Sequence, residues 1–356
     1  MSVDIAEILS AAVPEHCPGA VALVVRDGVP GEPVAVGEAL RYADDAGTLL
    51  PPAERVPMRA DTVFDVASLT KLFTATVVLG LVEDGTVSLA DAVVRWLPEF
   101  SRSDVTLRQL LSHTSGLPAH INLWERGSTV AECRTALLST PLEGAPGTVF
   151  SYSCLGYITA GWLAEAATGI PLRQLVADRI CGPLGLSDTG FLPSGEVLPR
   201  IAATEYEPYI DRGMVRGSVH DENSWRLGGA VGNAGIFSTA KDLARFGEML
   251  RRGGELDGIR ILGDSVVAEM LTDQLPVSLD PGYRQGLGPR IGDPSFMGSL
   301  ATDGAIGHTG FTGTSLVVDR SRNLVVVLLT NRVHPSRERS SVVALRQQLA
   351  DFCGAA

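Results

Sequence analysis

Apolar positions follow two different periods along this chain. Near both ends they gather in short β-branched blocks: GAVALVVRD at 19–27, then Thr314–Asp319 and Leu324–Asn331. Such blocks predict buried strands, and polar Arg320–Asn323 between the last two predicts an antiparallel hairpin. A further strand is expected over Pro33–Gly37. In the middle of the chain the spacing lengthens to three and four. Leu72, Ala75, Leu79 and Val82 share one face of a helix expected from Ser68 to Glu83, interrupted by Gly80 and stopped by Asp84-Gly85. Other helices are expected over 3–12, Leu107–Ser112, Ser128–Leu138, Gly156–Thr168, Leu172–Arg179 and Thr239–Arg251. Ser336–Phe352 should form a closing helix. Strands at both ends with helices between them predict a mixed α+β fold. Residues 1–66 and 235–356 would build a discontinuous sheet lobe, into which 67–234 inserts as a mainly helical lobe.

Composition narrows the function. At 356 residues the chain exceeds the roughly 250–300 at which one core usually stops growing. A net charge of −12 argues against nucleic acid or an anionic membrane as partner. No run reaches about 18 uninterrupted apolar residues, and Asp4 and Glu7 break the pattern of an export signal, so a cytoplasmic location is expected. Five scattered cysteines, an odd number, read as free thiols. The six histidines show no metal-ligand spacing, so no metal or cofactor is expected. Among 29 basic residues only Lys71 and Lys241 are lysine. Unlike arginine, lysine can give up its proton when buried, which makes a rare lysine a candidate for base chemistry.

Lys71 stands three residues after Ser68, on the same face of a helix that begins there. The amine can reach the hydroxyl, and the helix amino terminus favours negative charge on the serine oxygen. A reference pKa of about 10.4 is too high for a base at neutral pH, so burial and a second nearby cation would have to depress it. Ser238 and Lys241 repeat the spacing, but Asp242 and Arg245 mark a charged helix. Ser238 reads as a cap and Lys241 as a surface residue. Tyr152 offers a phenol that can relay a proton to a leaving group. His308-Thr309-Gly310-Phe311 opens a predicted strand, whose edge can present a backbone N–H to an oxyanion while glycine allows close substrate approach. The N–H groups of Ser68 and Phe311 would form that pair. Cys154 and His113 read as a buried thiol and a structural hydrogen-bonder. Trp225 and Asn233 are candidates for the pocket wall, and Leu227–Gly235 reads as a flexible glycine-rich wall.

In this order, Ser68-x-x-Lys71, Tyr152-Ser153-Cys154 and His308-Thr309-Gly310 resemble the three motifs of the serine β-lactamase and penicillin-binding protein superfamily, class C-like esterases included. Val105–Pro118, Gly313–Asn331 and the Asp84–Leu89 turn add to the likeness. The resemblance implies an antiparallel sheet flanked by helices and a ping-pong acyl transfer through Ser68. Lys71 would be base, Tyr152 would pass the proton to the leaving group, and His308 and Thr309 would help position substrate, with His120 on a wall loop touching it. Cys154 stands where β-lactamases carry asparagine, and a thiol cannot supply that amide's two hydrogen bonds. Histidine also replaces lysine in the third motif. These departures point to a hydrolase of small carboxylic esters. The alternative is an acyltransferase delivering the same acyl group to an amine or alcohol. A β-lactamase, a D-alanyl-D-alanine peptidase or a silent binding protein rank behind.

Overall fold

The computed structural model describes residues 4–355. Its main sheet is antiparallel and is built from both ends of the chain. Strand Gly19–Arg26 lies at its centre, between Val34–Leu40 and Leu324–Thr330. Beyond Leu324–Thr330 come Ser315–Asp319 and then Ala305–Thr309, joined to the next strand by His308↔Leu316 and Thr309↔Ser315 pairing. The expected hairpin is therefore present, with Ser315 facing Leu328 in register. The second strand runs longer than expected, to Leu40.

Both faces of the sheet are covered, which is why its strands read as nearly continuous apolar runs. Val21, Leu23 and Val25 point into the larger core, where helix Ala240–Arg251 lies. Ala20 and Ala22, on the alternate face, pack beneath the terminal helices Ile5–Ala12 and Val343–Ala355. The larger core is continuous from the sheet into the helical segment. Its axis is helix Thr70–Glu83, in which every residue from Thr70 to Leu81 is buried. This helix packs against Cys154–Thr168 and so fixes the nucleophile segment from below. No helix among the described residues is long and apolar enough to cross a membrane.

Three boundaries differ from expectation for local physical reasons. The closing helix starts at Val343, not Ser336. The carbonyls of Arg337 and Ser340, which a helix would need, accept instead from the Arg332 guanidinium at 3.3 and 2.9 Å. Leu172–Arg179 is α-helical only to Val176 and widens into a π turn over Ala177–Cys181. Ser238 is not a cap: it ends strand Ile236–Ser238, and Thr239 caps the next helix by accepting from Asp242 N.

Candidate active site

The segment before Ser68 is bent on purpose. Ala67 has φ +47°, a left-handed conformation that costs a non-glycine residue energy, and its N–H donates to Asp65 Oδ1 at 2.8 Å. The bend places Ser68 in a single 3₁₀ turn, Ala67–Leu69, that runs directly into helix Thr70–Glu83. Lys71 is fully buried, and its Nζ donates to Ser68 Oγ at 2.9 Å and to the Asn233 carbonyl at 3.1 Å. Cys154 Sγ lies 3.6 Å from the same nitrogen. The second S-x-x-K pair makes no such contact, since buried Ser238 bonds Thr189 Oγ1 while Lys241 is exposed.

Burial pushes the Lys71 pKa down, but negative charge on Cys154, Tyr152 and Asp221 pushes it up, and the upward pull is the greater. That is opposite to the depression expected from a neighbouring cation. Acting as a base therefore requires Lys71 to give up its proton against that pull.

Tyr152 lies between two cations, with Lys71 Nζ 5.1 Å and the Arg290 guanidinium 5.2 Å from its ring centre. Its hydroxyl faces His308 Nε2 at 3.4 Å. His308 Nδ1 lies 2.8 Å from the Thr309 carbonyl, which can only accept, so the proton sits on Nδ1 and Nε2 presents a lone pair to the phenol. Burial, then Arg290 and Lys71, hold the His308 pKa well below the usual value, keeping the ring neutral. His113 is structural, as expected: its Nδ1 accepts from Ser153 N at 3.0 Å and its ring lies against Tyr152.

Thr309, Gly310 and Phe311 bring the strand edge to the nucleophile. Among the described residues, the N–H groups of Ser68 and Phe311 donate to no protein acceptor, as two oxyanion donors require. Gly310 lines the cleft and also has a packing purpose. A Cβ there would lie 2.0 Å from Thr314 Oγ1 and 2.5 Å from the Val66 carbonyl, so the missing side chain lets the strand touch the nucleophile segment. The contact is closed by Thr314 Oγ1, which donates to Val66 O at 3.0 Å, and by Arg346, which donates to the Gly310 and Thr314 carbonyls at 2.9 Å each.

Two cavities meet at Ser68, Tyr152 and Phe311. One, of about 710 Å³, holds His120 and Cys154 and is walled by Trp124, Tyr209 and several carboxylates. The other, of about 350 Å³, is lined by Arg290, Arg332 and Arg346 without a carboxylate. Trp225 is absent from both walls, being sandwiched by Arg212 and Arg226. Asn233 contributes its backbone carbonyl to Lys71, while its side chain bonds Ser224 and Asp221. The glycine-rich stretch is not loose either: its carbonyls at Gly232 and Asn233 hold Thr74 and Lys71.

Sequence reading missed Glu205, Asp221, Glu222 and the three arginines. The only available sign was the string His220-Asp221-Glu222, whose chemistry has no fixed spacing. Behind the wall, donor atoms of Glu205, Glu207 and His220 all lie within 4.8 Å of one another, a grouping able to hold a cation. Arg337 and Arg212 stand 2.6 and 2.9 Å from those carboxylates, however, and already supply positive charge. A metal therefore fits the cluster poorly.

The sequence model of the Beta-lactamase family matches residues 6–350. A protein of Salmonella heidelberg (strain SL476), named putative D-alanyl-D-alanine carboxypeptidase, is 32% identical over 346 residues, covering 88% of this chain and 78% of its own. Among solved structures, EstCE1, described as a hydrolase with promiscuous acyltransferase activity, superposes with a TM-score of 0.75 at 23% identity, over 97% of this chain and 96% of that one. Simvastatin synthase (LovD) from Aspergillus terreus, in its LovD6 mutant form, gives 0.72 at 22% identity, covering 98% and 95%. The α+β architecture expected from the motifs is the one these structures share. With its motif residues gathered at one cleft and its whole length matched, this chain belongs to the beta-lactamase family, whose members are serine acyl hydrolases and transferases.

Proposed function

We propose that this protein is a serine hydrolase of small carboxylic esters that works through an acyl-enzyme on Ser68. The observation that carries the reading is the 2.9 Å bond between a fully buried amine and the Ser68 hydroxyl. Ser68 Oγ forms the new bond to the substrate carbonyl carbon as its proton passes to neutral Lys71. The carbonyl π pair moves onto oxygen, against the Ser68 and Phe311 N–H groups. The intermediate collapses by breaking the bond to the leaving alkoxide, which takes its proton through Tyr152. Water then repeats the sequence on the acyl-enzyme, releasing acid and restoring Ser68. His308 holds the phenol and Thr309 the strand edge, and His120 borders the substrate.

An amine or alcohol in place of water would make the same intermediate an acyl donor. Product analysis with and without added amines distinguishes hydrolysis from transfer. A second reading, cleavage of an amide that carries a free carboxylate, draws support from the arginine-lined cavity. Arg332 and Arg346 donate there only to backbone carbonyls, and the Nε atoms of Arg290 and Arg346 are buried without a partner. Burial and the neighbouring Arg332 and Arg290 bring the Arg346 pKa down to about 10, a repulsion that a bound carboxylate would relieve.

Short-chain p-nitrophenyl esters test the principal reading. The expected result is a burst of nitrophenolate equal to the enzyme present and its loss in Ser68→Ala. Equal turnover in Ser68→Ala would overturn it.

A further inference from the structure

The larger cavity carries charge that the proposed chemistry does not use. Five carboxylates line it, from Asp45, Glu205, Asp221, Glu222 and Glu338, against one guanidinium, that of Arg337. Arg337 is committed to the wall, bonding Glu205 Oε2 and Glu222 Oε1 at 2.6 Å each. His220 is likewise bound to Glu205 at 2.8 Å. Among the described residues, Asp45, Asp221 and Glu338 pair with no cation at ion-pair distance. Asp221 is held by Ser224 and Asn233 as hydrogen-bond donors only. Behind them buried Glu207 is ion-paired with Arg212 at 2.9 Å and adds no free charge to the cleft.

An independent observation comes from the tryptophans. Three of the four are covered by an arginine: Trp96 by Arg95 at 5.1 Å, Trp162 by Arg134 at 4.6 Å and Trp225 by Arg212 at 4.8 Å. Trp124 carries no such cation, and it is the tryptophan in the cleft. Its neighbour Tyr209, ring centre 6.4 Å away, is already taken by Arg337, which lies 6.0 Å over its ring and donates to its hydroxyl at 2.8 Å. A tryptophan with no cation on it, beside uncompensated carboxylates and next to a reactive serine, is the chemistry that recognises an ammonium group.

We infer that the natural substrate carries a positively charged nitrogen, held against Trp124 and faced by Asp221, Asp45 and Glu338. This rests on the acyl-enzyme reading for its catalytic meaning, but the cation site itself is a binding property. It replaces a plain neutral ester with an ammonium-bearing ester or amide as the preferred class.

Binding is tested apart from turnover. Ser68→Ala protein is titrated calorimetrically with butyltrimethylammonium, and separately with butanesulfonate. Saturable binding of the cation is expected, with at least a threefold weaker Kd in 0.5 M salt and at least fivefold weaker in Trp124→Leu and Asp221→Asn. No binding, or binding indifferent to both substitutions, overturns the inference whatever the enzyme hydrolyses. With active enzyme, acetylcholine is compared with its uncharged isostere 3,3-dimethylbutyl acetate. The p-nitrophenyl ester of 4-(trimethylammonio)butanoate is compared with that of 5,5-dimethylhexanoate. A tenfold preference in kcat/KM for the cation in either pair supports the site and tells which side of the scissile bond occupies it. Preference for the neutral ester in both pairs rejects it. Failure to acylate on any of the four esters counts against the hydrolase reading, while the calorimetric result still decides the cation site.

Discussion

Substituting Gly310→Ala probes how the strand and the nucleophile segment are held together. The added Cβ would meet Thr314 Oγ1 at 2.0 Å and Val66 O at 2.5 Å, and Ala67 Cβ at 3.3 Å. Comfortable contact needs roughly 3.5 Å, so the strand must withdraw from the Val66–Ala67 bend by about 1 Å. Thr314 can rotate, but the Val66 carbonyl is backbone and directly precedes the strained Ala67 that aims Ser68. Overpacking of this kind costs about 1–3 kcal/mol of stability. The larger effect falls on catalysis, because the two N–H groups facing the oxyanion sit on the two pieces being pushed apart. A misplacement of about 1 Å costs on the order of 10²-fold in rate, close to 2.7 kcal/mol in the barrier. The assay is the pre-steady-state burst on p-nitrophenyl acetate, with thermal unfolding measured on the same sample. Adding Thr314→Ala removes the Oγ1 contact and should recover part of the stability and little of the rate, since the Val66 clash remains. A folded Gly310→Ala enzyme that acylates at the parental rate would refute the claim that this contact sets the oxyanion donors.

Other substitutions have equally definite outcomes. Lys71→Met keeps the buried stem and removes the base, so acylation should slow by about 10²–10⁴-fold while a stopped-flow measurement still detects ester binding. Ser238→Ala and Lys241→Ala, outside the cleft, should leave the burst amplitude and rate unchanged. His334 accepts from the backbone N–H groups of Arg41 and Tyr42 at 3.0 and 3.1 Å, and burial, with Arg216 and Arg41 adding, pushes its pKa down to about 4. The unfolded chain, near 6.5, takes up that proton first, so stability from this group is present above pH 6.5 and drains away as pH falls toward 4. Between pH 7.5 and 5 the loss is about 2 kcal/mol, and chemical denaturation of His334→Gln should show a correspondingly flatter acid dependence.

The sequence yields what depends on short-range pattern. The central strands, the helix carrying Lys71 and the hairpin at 315–330 could be placed because their apolar periods differ and polar turns punctuate them. Ser68, Lys71, Tyr152 and the His308–Phe311 edge could be named because their motifs are compact in sequence. The strain at Ala67 leaves no trace, because alanine gives no sign of a positive φ. The packing role of Gly310 was not legible, since only the fold brings Val66 and Thr314 against it. Helix 336–352 was extended too far because its pattern cannot reveal that Arg332 takes the carbonyls ahead of it. The charged cleft was invisible for a similar reason. Asp45, Glu205, Asp221, Glu222 and Glu338 come from four separate stretches of chain, and an acidic total of −12 does not say where the acids converge.

The central claim is that Ser68, primed by its neighbouring amine, is the group that takes the acyl chain. Exposure to a serine-directed fluorophosphonate, followed by intact-mass and peptide mass spectrometry, tests this most directly. A single adduct is predicted, on Ser68, absent from Ser68→Ala and formed at least a hundredfold more slowly in Lys71→Met. Absence of an adduct in the parent protein, or one seated on Ser151, Ser153 or Cys154, would contradict it.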